Sequence, residues 1–157
     1  KQLAIGCASA KGKALIHSAG RTDDRFKTWE QHASSVVFPE AMADAASSVI
    51  EHFRGKIAFI NVMKNLSVDC DCCAVAEDPC MKDIGILSSL DPVALDQACI
   101  DAVLAQPKMP GSVLFDKGAC DCADHFKAAH PDTDWEAALI HSEKIGLGSR
   151  EYELVKI

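Results

Sequence analysis

Two short apolar runs constrain the fold more than any other feature of this chain. Lys56–Val62 and Asp83–Leu87 are near-continuous apolar stretches, the pattern typical of strands that are covered on both faces. Because a helical pattern precedes the first run and follows the second, the chain is predicted to be α/β, with a mostly parallel or mixed sheet and flanking helices. At least one right-handed crossover is expected between the two strands, with Ile60 and Leu87 deeply buried.

Two helices are predicted to pack on this sheet. The first begins at Pro39, repeats apolar residues at helical spacing as far as Phe53, and stops at Gly55. The second has Asp91 as its N-cap and Pro92 at its first position, and runs to about residue 105. Weaker patterns predict strands at Leu3–Cys7, Ala14–His17 and Tyr152–Ile157, and helices over Phe26–Val37 and from Asp132 or Thr133 to Gly146.

Composition limits the function classes. A chain of 157 residues with 48% hydrophobic and 25% charged residues is predicted to fold as one α/β domain over residues 1–157. The net charge of −7, without a run of Lys or Arg, argues against nucleic-acid and anionic-membrane partners. No apolar run approaches the length of a membrane span, and no signal peptide is visible. We therefore expect a cytoplasmic protein.

The eight cysteines are the main chemical signal, and five of them fall in two short stretches. The more specific of the two motifs is Cys70-Asp-Cys72-Cys73, and Cys80 follows it in the sequence. Neighbouring side chains of a strand face opposite ways, so Cys70 and Cys72 converge more easily than Cys72 and Cys73. The spacing is neither that of a ferredoxin nor that of a zinc ribbon. Packed apolar thiols and a disulfide framework stay open as alternatives.

A second triplet, Cys120-Asp-Cys122, precedes His125 and His130. Two thiols and two imidazoles have the chemistry that tetrahedral zinc requires. On a helix, however, the two histidines would stand about 140° apart and would not share a face. A four-thiolate site that joins both triplets is an equal alternative.

Two further patterns suggest an enzyme. The stretch Gly6–Lys13 resembles a phosphate loop but has five residues where four are required, followed by Ala14. Gly6, Gly12 and Lys13 are therefore candidates only for a turn that binds an anion. Asp96 is expected within the apolar stripe of its helix, where a carboxylate needs hydrogen bonds or a metal, and is the candidate acid–base residue.

Several motifs together resemble a known family. They are Gly6-Cys7, Gly12-Lys13, Ile16-His17-Ser18, Cys70-Asp-Cys72, Asp83–Ser89, Leu90–Ala98, His130-Pro131, Asp134-Trp135 and Ile145–Leu154. In combination they are similar to the domain-of-unknown-function family three-six-two, bacterial and archaeal proteins often labelled ferredoxin-like or iron–sulfur proteins. The resemblance implies an α/β domain with a Cys-Asp-Cys loop, and it supplies no known reaction.

The chain departs from this family in two places. Many members carry a ferredoxin insert after the position of His17, and here a short polar loop leads from Ser18 to Phe26 instead. The clusters of that insert are therefore not carried over. The family's N-terminal half is also missing before Leu3, which suggests a C-terminal portion of a longer protein.

The function predicted from the sequence is a metal- or iron–sulfur-associated α/β domain, with redox chemistry and a redox partner protein. The metal ligands are predicted to be Cys70 and Cys72, supported by Cys80, Cys73 and His17, and the cofactor to be an iron–sulfur cluster or zinc. The alternatives are an enzyme that acts on a small anionic metabolite, and a non-catalytic module with packed cysteines.

Overall fold

A computed structural model describes residues 6, 8–53, 55–69, 77–117 and 124–157, without the side chain of residue 117. Within these residues there are six helices and two strands. In chain order they are α1 (Ala10–His17), α2 (Val37–Phe53), β1 (Phe59–Met63), β2 (Gly85–Ser89), α3 (Pro92–Leu104), α4 (Val113–Lys117), α5 (His125–Ala129) and α6 (Glu136–Lys144). The α/β class with flanking helices is confirmed.

The two strands pair in the opposite sense to the expected one. β1 and β2 are antiparallel, with Phe59 opposite Ser89 and Met63 opposite Gly85. A parallel pair needs a crossover, usually helical, and the described parts of the segment between the strands contain no helix. Instead the chain turns back on itself, and the Ile84 N–H donates to the Met63 carbonyl at 2.9 Å. The predicted parallel arrangement and its right-handed crossover are wrong for this pair.

Only one face of this two-stranded sheet is covered in the described part of the chain. Met63 is buried, whereas Ile60 is 65% and Ile86 69% exposed, and both lie on the other face. The prediction of a deeply buried Ile60 is wrong, and Leu87 is only partly buried. A near-continuous apolar run does not reveal how many faces of a strand are covered, and here α3 covers one.

The helix α3 follows the sequence prediction. Asp91 is its N-cap, and the carboxylate accepts hydrogen bonds from the backbone N–H groups of Val93 and Ala94. Pro92 occupies the first helical position, where its missing N–H costs nothing. The helix packs against both strands and against α6.

The helices α1, α2 and α6 form a second group. The sequence predicted that α2 packs on the sheet, but in the structure it packs against α6 and α1. Its polar link to α6 is a hydrogen bond of 2.8 Å between His141 Nε2 and Asp44 Oδ1. Gly146, with a φ of 78°, follows the end of α6 where a stop was predicted.

Three weaker predictions are wrong. Ala14–His17 belongs to helix α1 instead of a strand, because Ser9 caps a helix that begins four residues earlier. The predicted helix at Phe26–Val37 is a series of turns that ends where α2 begins. Tyr152–Ile157 forms no strand, and the Tyr152 hydroxyl instead donates to Asp101 Oδ2 of α3 at 2.8 Å. A short apolar or alternating run is compatible with a strand, a helix or a turn, so the pattern alone does not decide between them.

None of the helices in the described ranges is long and apolar enough to cross a membrane.

Candidate functional site

Two hydrogen bonds join the described residues on either side of the cysteine segment 70–76, and we call this region the neck. Cys70, Cys72 and Cys73 lie outside the described residues. On either side of them, the Cys80 N–H donates to the Leu66 carbonyl at 2.8 Å, and the Asn65 N–H donates to Asp83 Oδ1 at 2.9 Å. These bonds hold the described residues before the segment against those that follow it.

Cys80 takes part in closing the neck. Its side chain is 3% exposed, and its thiol donates to the Leu66 carbonyl at 3.1 Å. Burial raises the pKa of this thiol, so the protonated form is favoured. Since a carbonyl can only accept, coordination of a metal by the Cys80 thiolate would require the loss of this bond.

Residues that flank the second cysteine segment pack against residues that flank the first. Cys120 and Cys122 lie outside the described residues, between α4 and α5. One apolar cluster joins α4 and α5 to the neck, and we call it the neck cluster. Its buried members are Cys80, Met81, Leu114 and Ala128, and the partly buried Leu66, Val68, Ile84, Val103 and Ala129 pack against it. Residues that flank both cysteine segments therefore share a single small core.

A polar contact reinforces this link. His130, at the end of α5, donates from Nε2 to the Val68 carbonyl at 2.7 Å. Val68 lies two residues before Cys70. His130 is exposed, and this bond makes it a tether between residues that flank the two segments, while its role as a zinc ligand stays a prediction from the sequence.

The start of α5 is fixed by Asp124, the first described residue after the second segment. Its carboxylate accepts from the Lys127 N–H at 2.9 Å and from Trp135 Nε1 at 3.0 Å. Burial by itself raises the pKa of this carboxyl, but these hydrogen bonds outweigh burial and hold the pKa below its usual value. The carboxylate is therefore a stable N-cap for α5 at neutral pH.

His125, in the first turn of α5, is the most informative side chain near the second segment. It is 8% exposed, and its Nε2 lies 2.7 Å from the Gln106 carbonyl, so Nε2 carries the proton and donates it. Its Nδ1 is the one buried side-chain nitrogen or oxygen in the described ranges that has no hydrogen-bond partner. Such a nitrogen needs an explanation, and a bound ion is one of the usual ones. The spacing from Cys120 and Cys122 was the signal that could have placed His125 among the leading candidates.

His17 lies in a different part of the molecule. It is the last residue of α1, and its Nδ1 lies 2.7 Å from the Lys13 carbonyl. Its ring packs among aromatic side chains of the turns that follow and of α2. The described contacts do not bring His17 to the neck cluster.

The anion-binding candidates do not form the turn that was expected. Gly12 and Lys13 lie within α1, and the Gly12 N–H donates to Ser9 Oγ at 3.1 Å, while Gly6 is exposed. The N–H group of Gly12 is therefore already used by the N-cap. Anion binding at Gly6, Gly12 and Lys13 stays a prediction, without a described pocket of free N–H groups to support it.

Asp96 lies on α3 and is exposed, so its expected place in an apolar stripe is wrong. The buried face of α3 is formed by Val93, Ala94, Leu95, Gln97 and Ala98, and Asp96 lies on the opposite side. Its Oδ1 accepts from Asn61 Nδ2 of β1 at 2.9 Å. The same amide lies 3.4 Å from Cys99 Sγ. Asp96 thus ties a strand to a helix.

The contact between Asp96, Asn61 and Cys99 predicts a measurable change in the reactivity of the Cys99 thiol. Burial raises the pKa of Cys99, the Asn61 hydrogen bond lowers it, and the negative charge of Asp96 raises it. We expect Asp96→Asn to lower the pKa of Cys99 and to speed its alkylation at fixed pH, since the thiolate is the reactive form. Mass spectrometry of the Cys99 peptide after iodoacetamide pulses measures the rate.

The matched control is Asp101→Asn, on the same helix, where the carboxylate instead binds Gln97 and Tyr152. Asp101→Asn should leave the rate for Cys99 unchanged. Equal rates in wild type and Asp96→Asn would contradict the prediction.

A cavity of about 310 Å³ opens between α1, α2 and α6. Apolar side chains such as Leu15, Ile16 and Val37 line it together with Glu40, Asp44 and His141. His141 lies 2.8 Å from Asp44 and 3.9 Å from Glu40. The two carboxylates make the cavity unsuited to the anionic metabolite of the enzyme alternative.

In the ranges 8–53, 55–69, 77–117 and 124–157, there is no group of three or more His, Cys, Asp or Glu side chains that could hold a metal ion.

A family model, described as Domain of unknown function (DUF362), matches residues 1–101. No curated protein and no solved structure gives a significant match. Since the matched range covers more than half of the chain, the chain belongs to the family of the domain of unknown function DUF362.

Proposed function

We propose that this chain is a metal-binding α/β domain. In this proposal, the four ligands of zinc or of an iron–sulfur cluster are the imidazole of His125 and three of the four thiolates of Cys70, Cys72, Cys120 and Cys122. The observation that carries the proposal is the neck cluster, in which residues flanking both Cys-Asp-Cys segments pack together. Contacts between the residues that flank the two segments favour one centre to which both segments contribute thiolates.

His125 supports the same proposal from the described residues. A histidine that binds a metal usually donates its other ring N–H to a carbonyl or carboxylate, which fixes the tautomer. His125 has this arrangement, with Nε2–H on the Gln106 carbonyl and a buried Nδ1 lone pair without a partner. The site chemistry fits zinc, which takes mixed sets of thiolate and imidazole ligands.

The two cofactors differ in what they would supply. Zinc would add stability to the fold, whereas an iron–sulfur cluster would carry an electron to or from a redox partner protein. The role of this chain's own residues is the same in both cases. The hydrogen bonds of the neck and the His130 tether hold the ligand segments together.

A specific observation favours one alternative, a non-catalytic module with packed cysteines. Burial raises the pKa of both Cys80 and Cys99, and both are free thiols with hydrogen-bond partners. Two of the eight cysteines therefore already have structural roles. The alternative extends this role to the cysteines of both triplets.

The substitution His125→Gln distinguishes the metal-binding domain from the non-catalytic module with packed cysteines. We expect it to weaken metal binding by about tenfold or more, because it removes a ring nitrogen from the ligand set. Metal affinity is measured by competition with a chromophoric chelator under anaerobic conditions, and far-UV circular dichroism checks the fold.

The matched control is His130→Gln, whose amide can still donate to the Val68 carbonyl. This variant should bind metal like the wild type. If His125→Gln and His130→Gln hold metal with the wild-type affinity, His125 is not a ligand.

A further inference from the structure

A pair of histidines away from the neck cluster shares an unusual arrangement. The rings of His17 and His32 have their centroids 5.8 Å apart. His17 Nδ1 lies 2.7 Å from the Lys13 carbonyl, and His32 Nδ1 lies 2.7 Å from the Ala33 carbonyl. A carbonyl can only accept, so in each ring Nδ1 carries the proton and the neutral ring has its lone pair on Nε2.

The two rings are held in place from several directions. Phe38 stacks on His17 at 5.0 Å with an angle of 23° between the rings, and Trp29 stacks on His32 at 5.7 Å with an angle of 6°. The backbone also connects the pair, since the Ala33 N–H donates to the His17 carbonyl at 2.8 Å. Both imidazoles are therefore fixed in tautomer and in position while remaining partly open to solvent.

We propose that His17 and His32 bind one divalent ion of the late first row, such as Ni²⁺, Cu²⁺ or Zn²⁺, through their Nε2 atoms. Imidazole is a preferred ligand for these ions, and the bond from Nδ1–H to a backbone carbonyl is the usual support of a ligating histidine. Two imidazoles that share an ion at metal–nitrogen distances of about 2.0–2.1 Å have ring centroids about 5–6 Å apart. The observed spacing of 5.8 Å lies in this range.

This site differs from the proposed thiolate centre in its donors and in its openness. The described residues place no third His, Cys, Asp or Glu with the pair to form a larger ligand group, so water completes the coordination shell. An open shell of this kind suits a readily exchanged ion. The proposed site contains no cysteine and does not depend on the proposed function.

Trp29 provides a fluorescence probe for this site. The Trp29 ring centroid is 5.8 Å from that of His17 and 5.7 Å from that of His32, so a paramagnetic ion bound by the pair would quench its fluorescence. The experiment titrates Ni²⁺ into the full chain as purified. We expect saturable quenching with a stoichiometry of about one ion per chain. Trp29→Phe should remove this signal and leave the fluorescence of Trp135.

The variants His17→Gln and His32→Gln should each weaken the apparent Ni²⁺ affinity by about tenfold or more. The matched control is His52→Gln, an exposed histidine of α2 whose described ring contact is with Phe53. It should titrate like the wild type. Absence of saturable quenching in the wild type, or equal affinities in all three variants, would overturn the proposal.

Circular dichroism shows whether the variants fold. If either glutamine variant loses helical signal, NMR of the wild type decides the question. Ni²⁺ must then broaden the side-chain signals of His17 and His32 before those of His52, and the reverse order would overturn the proposal.

Discussion

Asp91→Ala is expected to lower the free energy of unfolding by about 2–3 kcal/mol, because one carboxylate fixes two parts of the chain. Oδ1 accepts from the Val93 and Ala94 N–H groups at 2.8 and 3.0 Å, which caps α3. Oδ2 accepts from the Ser149 N–H at 2.9 Å, which fastens the C-terminal segment. The sequence predicted the cap, which by itself contributes about 1 kcal/mol, but not the second bond. Urea unfolding, with comparison of midpoint and m-value, measures the loss.

Two further variants separate the contributions of the two oxygens. Asp91→Asn retains an acceptor for the cap, but its amide nitrogen cannot accept from Ser149, so we expect a smaller loss than for Asp91→Ala. A Cβ built at Gly148 meets the Asp91 carboxylate, so Gly148→Ala should also destabilise the wild type. In the Asp91→Ala background the same change should cost much less, which a double-mutant cycle detects. A fully additive cycle would contradict this contact.

The cysteine pairs give the second large effect. We expect both Cys70→Ser/Cys72→Ser and Cys120→Ser/Cys122→Ser to lose bound zinc or iron, because the proposed centre needs thiolates from each segment. Most helical signal should remain, since α2 packs on α1 and α6, and α3 on the strands and α6. Metal analysis after anaerobic purification measures the loss.

Cys99→Ser is the matched control for these variants. Cys99 is a free cysteine of α3 whose described partner is Asn61, and its replacement should leave the metal content unchanged. Loss of metal from only one of the double variants would restrict the centre to that segment. Wild-type metal content in both would contradict the proposed ligands.

The sequence predicted best those elements whose signals are local. Asp91 and Pro92 define the start of α3 by capping chemistry alone, and the structure agrees. The apolar run before Met63 predicted β1, but strand direction depends on how the chain returns from the cysteine segment, and no local residue encodes that. The helix α1 was missed because Ala14–His17 is too short to show a period, although the Ser9 cap was available as a signal.

The candidate site was predicted in its chemistry rather than in its arrangement. The Cys-Asp-Cys pattern identified both segments, but their anchoring on one cluster depends on contacts between residues such as Val68 and His130, which are 62 positions apart. Asp96 was misplaced because the buried face of α3 is set by its neighbours and includes the polar Gln97. His125 could not be separated from His130 by spacing, since both rings use Nε2 as the donor and they differ in burial, which leaves Nδ1 of His125 without a partner.

The metal content of the full chain, purified without oxygen, decides whether this domain binds a metal. We expect zinc at about one ion per chain, or iron with a matching amount of acid-labile sulfide, and we expect this metal to survive dialysis. A well-folded wild-type chain that retains neither metal, with the cysteines of both triplets reacting as free thiols, would contradict the metal-binding function.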